Sequence, residues 1–168
     1  EGTNNVGAVY FSGVFTTTYK IYLITFQLQN NVDGNSIRFR LQKSDDTTVN
    51  ANYKYASHTI NHSGTENNFC GGGAVDVAMT GGTDGGNANH FGVCNGYMYV
   101  HRPLAYGGNR DSCFFNYVSH EVDTGNNFKH IQGGGFLDDN NNDITGFEFR
   151  PSANYISNRN ITVYGLVQ

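Results

Sequence analysis

Apolar residues recur at every second position along much of this chain. From Tyr19 to Gln29, Tyr22, Ile24, Phe26 and Leu28 form one row. The opposite row begins apolar, as Tyr19, Ile21 and Leu23, and turns polar at Thr25, Gln27 and Gln29. A period of two marks a β-strand, whose successive side chains point to opposite faces. One end of this strand is expected to be covered on both faces and the other end on one. Ser36 to Lys43 alternates more cleanly, with Ile37, Phe39 and Leu41 against Arg38, Arg40 and Gln42. Asp33-Gly34 between them is a turn signal, so the two segments read as an antiparallel hairpin closed by the loop Asn30–Asn35. Near the end of the chain, Ile144-Thr-Gly-Phe-Glu-Phe-Arg150 sets Phe147 and Phe149 against Glu148 and Arg150. A polar stretch from Pro151 to Asn160 separates it from a last strand, Ile161 to Leu166.

Shorter segments fill the middle. Val6 to Phe11 is a brief apolar opening, and Asn52 to Asn61 places Tyr53 and Tyr55 on one face. Ala74 to Met79 is a strand candidate after the run Cys70-Gly-Gly-Gly. Phe91 to Arg102 has Tyr97–His101 as its β core, and Cys113 to Val122 is rich in Phe and Tyr. Phe128–Gln132 and Gly135–Leu137 are fainter. Thr80–Asn89 and Pro103–Asp111 consist of loop formers. No segment sustains a period of 3.6. The pattern predicts an all-β fold, an antiparallel β-sandwich of about eight to ten short strands in one domain spanning residues 1–168. The first and last strands are expected to be neighbours.

Composition supports this. The 22 glycines are about twice the usual share, and only 14% of residues are charged. Gly and Asn tolerate positive φ and collect at tight turns. A chain of 168 residues can bury about 70% of its unfolded surface, so it needs no cross-link to make a core. The three cysteines, Cys70, Cys94 and Cys113, are widely spaced and read as small buried hydrophobes. Net charge is only −4, and the basic residues are scattered singly, which argues against nucleic acid. No apolar run approaches a membrane helix. No signal peptide is visible, and the start at Glu1 suggests processing or excision from a longer protein.

Candidate chemistry is sparse. The histidines His58, His62, His90, His101, His120 and His130 show no compact ligand spacing. In a strand His120 and Glu121 face opposite sides. There is no Gly-x-Ser-x-Gly elbow, and Asp45-Asp46 and Asp138-Asp139 read as turn residues, so no enzyme and no cofactor is expected. Asp139, Asn141 and Asp143 have the alternate oxygen spacing of a calcium loop but lack its Gly and its closing Glu. A solvated turn is the preferred reading of that segment. Most of the twelve Phe fall on inward rows and read as core. Tyr97, Tyr99 and Tyr106 stand beside Gly/Asn loops, where rings stack on sugar C–H faces and amides meet hydroxyls. With Asn89, His90 and Arg110 they form the candidate ligand surface.

The strands Tyr19-Lys-Ile-Tyr-Leu-Ile-Thr-Phe-Gln-Leu and Asp33-Gly-Asn-Ser-Ile-Arg-Phe-Arg-Leu41 resemble a module of tailed phages, chiefly marine and cyanobacterial ones. So do the segment Ile144-Thr-Gly-Phe-Glu-Phe and the ending Ile161-Thr-Val-Tyr-Gly-Leu166. The likeness covers both ends of the chain and leaves out Glu66 to Asp111. It departs at Asn158-Arg-Asn160, where that family often has a Ser-Gly pair. The resemblance implies a jelly-roll-like sandwich in a virion, as in tail-fibre or particle-surface proteins, assembled as a homo-oligomer, most simply a trimer, among other virion proteins. The expected role is attachment to host-surface glycan, with no catalytic residues. A head-decoration protein that binds no sugar, and a cellular lectin module, are the alternatives.

Overall fold

The computed structural model describes residues 5–30, 36–79, 94–101, 113–122, 128–138, 144–153 and 155–167. They contain eleven strands and no helix. These are β1 (Val9–Phe11), β2 (Ile21–Asn30), β3 (Ile37–Lys43), β4 (Tyr53–Asn61), β5 (Glu66–Ala74) and β6 (Val77–Ala78). They continue as β7 (Cys94–His101), β8 (Cys113–Val122), β9 (Phe128–Leu137), β10 (Ile144–Pro151) and β11 (Ile156–Leu166). All pairings are antiparallel, in a four-stranded sheet ordered β1-β10-β3-β6 and a seven-stranded sheet ordered β11-β2-β7-β8-β9-β4-β5. The β-sandwich read from the alternating pattern is therefore the fold, with eleven strands rather than eight to ten.

Phenylalanine joins the sheets. Phe26 of β2 lies 5.1 Å from Phe149 of β10, ring centre to ring centre, and Phe39 of β3 lies 6.0 Å from Phe115 of β8. Phe147 stacks on Phe11 at 4.9 Å and contacts Phe15 at 5.8 Å. Each fully buried ring contributes about 1.5–3 kcal/mol of transfer free energy. Polar tips are satisfied across the layers: Tyr53 Oη accepts from the Leu41 amide at 2.7 Å, and Tyr117 Oη donates to the Ala78 carbonyl at 2.9 Å. Ser119 Oγ donates to the Met79 carbonyl at 2.7 Å.

Several expectations are corrected. β2 and β3 are not a hairpin; they lie in different sheets. Both inner rows, Ile24-Phe26-Leu28 and Ile37-Phe39-Leu41, are buried. Stacking two such rows face to face removes more apolar surface from water than joining them edge to edge. β2 is buried on one face only along its whole length, so neither end is covered twice. The first strand pairs with β10 rather than with the last strand. A bridge between Val6 and Ile156, with amide–carbonyl bonds of 3.0 and 2.8 Å, still ties the start of the chain to β11. Ala74–Met79 is no single strand: β5 ends at Ala74, and β6 is the short pair Val77–Ala78. The two faint segments after Phe128 are one strand, running through Gly133-Gly134-Gly135. A Cβ at Gly133 would stand 2.7 Å from Ser57 Cβ and 2.8 Å from the Tyr117 ring, so only glycine admits that ring onto β9.

Candidate functional site

The strand registers determine what shares the outer face of the seven-stranded sheet. Residues paired across an antiparallel ladder point to the same side. Tyr99 pairs with Leu23 on one side and Asn116 on the other, and the row continues through Gly134 and Ala56 to Cys70. The next row runs Thr25, Tyr97, Val118, Gln132, His58, Asn68. Beyond Leu23 and Thr25, β11 adds Tyr164 and Thr162. Neither row contains Lys, Arg, Asp or Glu.

Between these rows, across β8, β9, β4 and β5, lies an open trough of about 680 Å³. Asn116, Val118, Gln132, Ala56, His58, Asn68 and Cys70 line it with outward side chains, and the backbones of Tyr117, Gly133, Ser57 and Phe69 run between them. A Cβ at Gly134 would sit 2.9 Å from the Phe115 carbonyl, so this glycine keeps the adjoining row low. Three gaps of about 4.8 Å between four strands give the trough a run of about 14 Å across the strands. At its β7 end the two rows continue into Tyr97 and Tyr99, whose rings meet edge to face at 5.9 Å. At the other end it leaves the sheet along the edge strand β5.

The rows flanking the trough carry more rings. Phe114 packs on Phe136 at 5.7 Å and is 52% exposed. Lys54 stands over the Phe136 ring and is held by Asp138. On the other flank, His120 and His130 share a ring-nitrogen hydrogen bond of 3.1 Å, and His120 stacks on Phe128. Burial, and then the neighbouring His130, holds the His120 imidazole below its ordinary pKa. His58 Nε2 lies 3.4 Å from the Glu66 carboxylate at the β5 end. His101 bonds Asn116 Oδ1 through Nε2 at 3.1 Å.

Of the residues singled out from sequence, Tyr97 and Tyr99 are placed together here, in mid-strand on a sheet face rather than beside loops. Asn89, His90, Tyr106 and Arg110 lie outside the described residues, as do Asp139, Asn141 and Asp143 and the two Gly-rich loops. The expectation that the cysteines are all buried fails for Cys70, which is exposed in the trough, whereas Cys94 and Cys113 are in the core. None of the three is in a disulfide. Burial raises the Cys94 and Cys113 thiols far above the range of a reactive thiolate. Phe15, Phe26, Phe39, Phe115, Phe147 and Phe149 are core, as expected of most of the phenylalanines, whereas Phe114 and Phe128 face outward. Glu121 is buried on the inner side and His120 faces out, as their adjacency requires. Sequence reasoning missed Asn116, Gln132, His58 and Asn68, because they converge only through the order β8-β9-β4-β5. Among the described residues, no group of three or more His, Cys, Asp or Glu is placed to hold a metal.

Comparison with protein-family models, with curated proteins and with solved structures finds no match. The function must therefore be argued from the chemistry of this face.

Proposed function

We propose that this chain is a carbohydrate-recognition module displayed on a virus particle, binding host-surface glycan across the outer face of its seven-stranded sheet. One observation carries the glycan part: Tyr97 and Tyr99 stand in the same two transverse rows as the amide-lined trough. Sugars present apolar C–H faces and a rim of hydroxyls, which rings and amides match separately. The Asn116, Gln132 and Asn68 amides each offer both donors and acceptors, as a hydroxyl requires. The virion setting is supported by the resemblance of the strands at both ends of the chain to tailed-phage modules. Several copies on one particle would add avidity, raising effective affinity by about 10²–10⁴ without any new contact.

The test uses the intact chain in gels cast with soluble polysaccharides. Retarded migration of the wild-type chain, lost in the Tyr97→Ala/Tyr99→Ala variant, is the expected result. No retardation by any polysaccharide, together with firm binding to empty capsids, would show a decoration protein instead. Antibody labelling of particles would locate the chain at head or tail.

A further inference from the structure

Resting on that glycan reading, we infer that the trough takes the internal part of an uncharged polysaccharide chain, laid across the strands. Charge comes first. An acidic sugar is held best by a fixed cation at its carboxylate or sulfate, and the two rows supply no Lys or Arg. The nearest lysine, Lys54, lies in the flanking row and is paired with Asp138. At the β5 end stands the Glu66 carboxylate, which repels an anion and has His58 as its neighbour. The amides that remain hydrogen-bond to neutral hydroxyls without favouring either sign of charge.

Direction and shape follow from the registers. The low line of Gly134, Ala56 and Cys70 runs from strand to strand, not along any one strand. Its β5 end opens at the sheet edge, and at its β7 end stand the exposed ring of Tyr97 and the half-buried ring of Tyr99. Among the described residues, no side chain closes either end of the trough against a chain terminus. A linear ligand can enter and leave at both ends, so each added sugar gains contact until the run of about 14 Å is filled.

The experiment measures retardation of the whole chain by neutral chains (galactomannan, mixed-linkage glucan, dextran) and acidic chains (alginate, hyaluronate). Titration with oligosaccharides cut from the retarding polymer follows. Retardation by at least one neutral chain and by neither acidic one is expected. Affinity should rise about tenfold or more from disaccharide to hexasaccharide. A Gln132→Lys variant should acquire retardation by alginate, because it places a cation in the trough. Retardation by acidic chains alone, or by both kinds equally, would overturn the inference while leaving a glycan-binding module. So would an affinity that does not grow with length. Retardation by none of the five would remove the glycan reading itself.

Discussion

On the outer face of the four-stranded sheet, Arg38 and Arg150 are cross-strand partners, and Arg40 faces Glu148. Asp76 bridges Arg38 at 3.1 Å and Arg40 at 3.5 Å. Glu148 lies 3.7 Å from Arg40 and 3.9 Å from Arg150. The outer face of the seven-stranded sheet has two central rows with no formal charge and exposed rings instead, Tyr97 40% and Tyr164 50%. Both faces belong to the same sandwich and both meet water. The charged face has an exposed ring of its own, Tyr10 at 58%, but sets it beside a network of arginines and carboxylates. The two central rows of the larger sheet set rings beside amides with no such network, and the proposed glycan surface rests on that contrast.

The sharpest way to break the comparison is to exchange the consequences of the two faces. Glu148 is 2% exposed despite facing outward, and its carboxylate lies between Arg40 and Arg150 and accepts from Thr48 Oγ1 at 3.4 Å. Glu148→Ala leaves Arg40 and Arg150 without that carboxylate, and removing one partner of a buried charge pair costs about 3–5 kcal/mol. We expect a loss near the lower figure in urea denaturation, since Asp76 still serves Arg40. Polysaccharide retardation of the folded fraction should be unchanged. Lost retardation in a folded Glu148→Ala protein would show that the charged face takes part in binding.

The reverse pattern belongs to Tyr97→Ala/Tyr99→Ala. Outward residues on a solvated face usually change stability by within about 0.5 kcal/mol each. Truncating an anchor of a binding surface costs about 2 kcal/mol or more, roughly thirtyfold in affinity. Calorimetric titration beside a denaturation curve checks both halves. A variant that unfolds readily but binds normally would make the tyrosines structural. Arg150→Ala, which changes only the charged face, should leave affinity unaltered.

How much of this was legible beforehand differs from strand to strand. β3 and β10 announce themselves because one face of each is apolar and the other polar, and β2 because one row is apolar from Tyr22 to Leu28 while the other turns polar at Thr25. The same pattern could not say whether β2 and β3 meet by edges or by faces, since both arrangements bury one row of each. β5 was invisible: Glu-Asn-Asn-Phe-Cys-Gly-Gly-Gly contains few β-formers, and it is a strand because β4 offers it a ladder of paired backbone groups. Tyr97 and Tyr99 were found because a ring beside Asn and Gly is chemically suggestive. Their trough partners were not, because a transverse row depends on strand order. Gln132 and His58 are neighbours only because β9 is inserted between β8 and β4.

Cys70 sharpens the contrast within the large sheet. Its thiol is exposed in the trough, while Cys94 and Cys113 are buried on the inner side. An aromatic thiol reagent should therefore modify one cysteine in the native protein and all three only in denaturant. The adduct at Cys70 fills part of the trough, so retardation by polysaccharide should fall about tenfold in apparent affinity. Bound polysaccharide should slow the modification in return. Full binding after complete Cys70 modification would move the ligand off the β5 end of the rows.

The smallest expected effect separates the flank of the trough from its floor. His120 and His130 share one ring-nitrogen hydrogen bond, which requires a neutral ring as acceptor. Burial and then His130 lower the folded-state pKa of His120 below its unfolded value near 6.5. The unfolded chain therefore takes up the proton first as pH falls. This contribution leaves stability unaffected well above pH ~6.5, lowers it as pH drops through ~6.5 to the folded value, and is constant below that. Because His120 is only partly buried, solvent screening keeps the effect modest. Urea midpoints for wild type and His120→Gln, compared at about pH 8 and about pH 5, isolate it. The wild type should lose more stability on acidification than the variant. An equal loss in both would mean that the imidazole pair contributes no pH dependence and that the flank responds to acid only as an ordinary wet surface does.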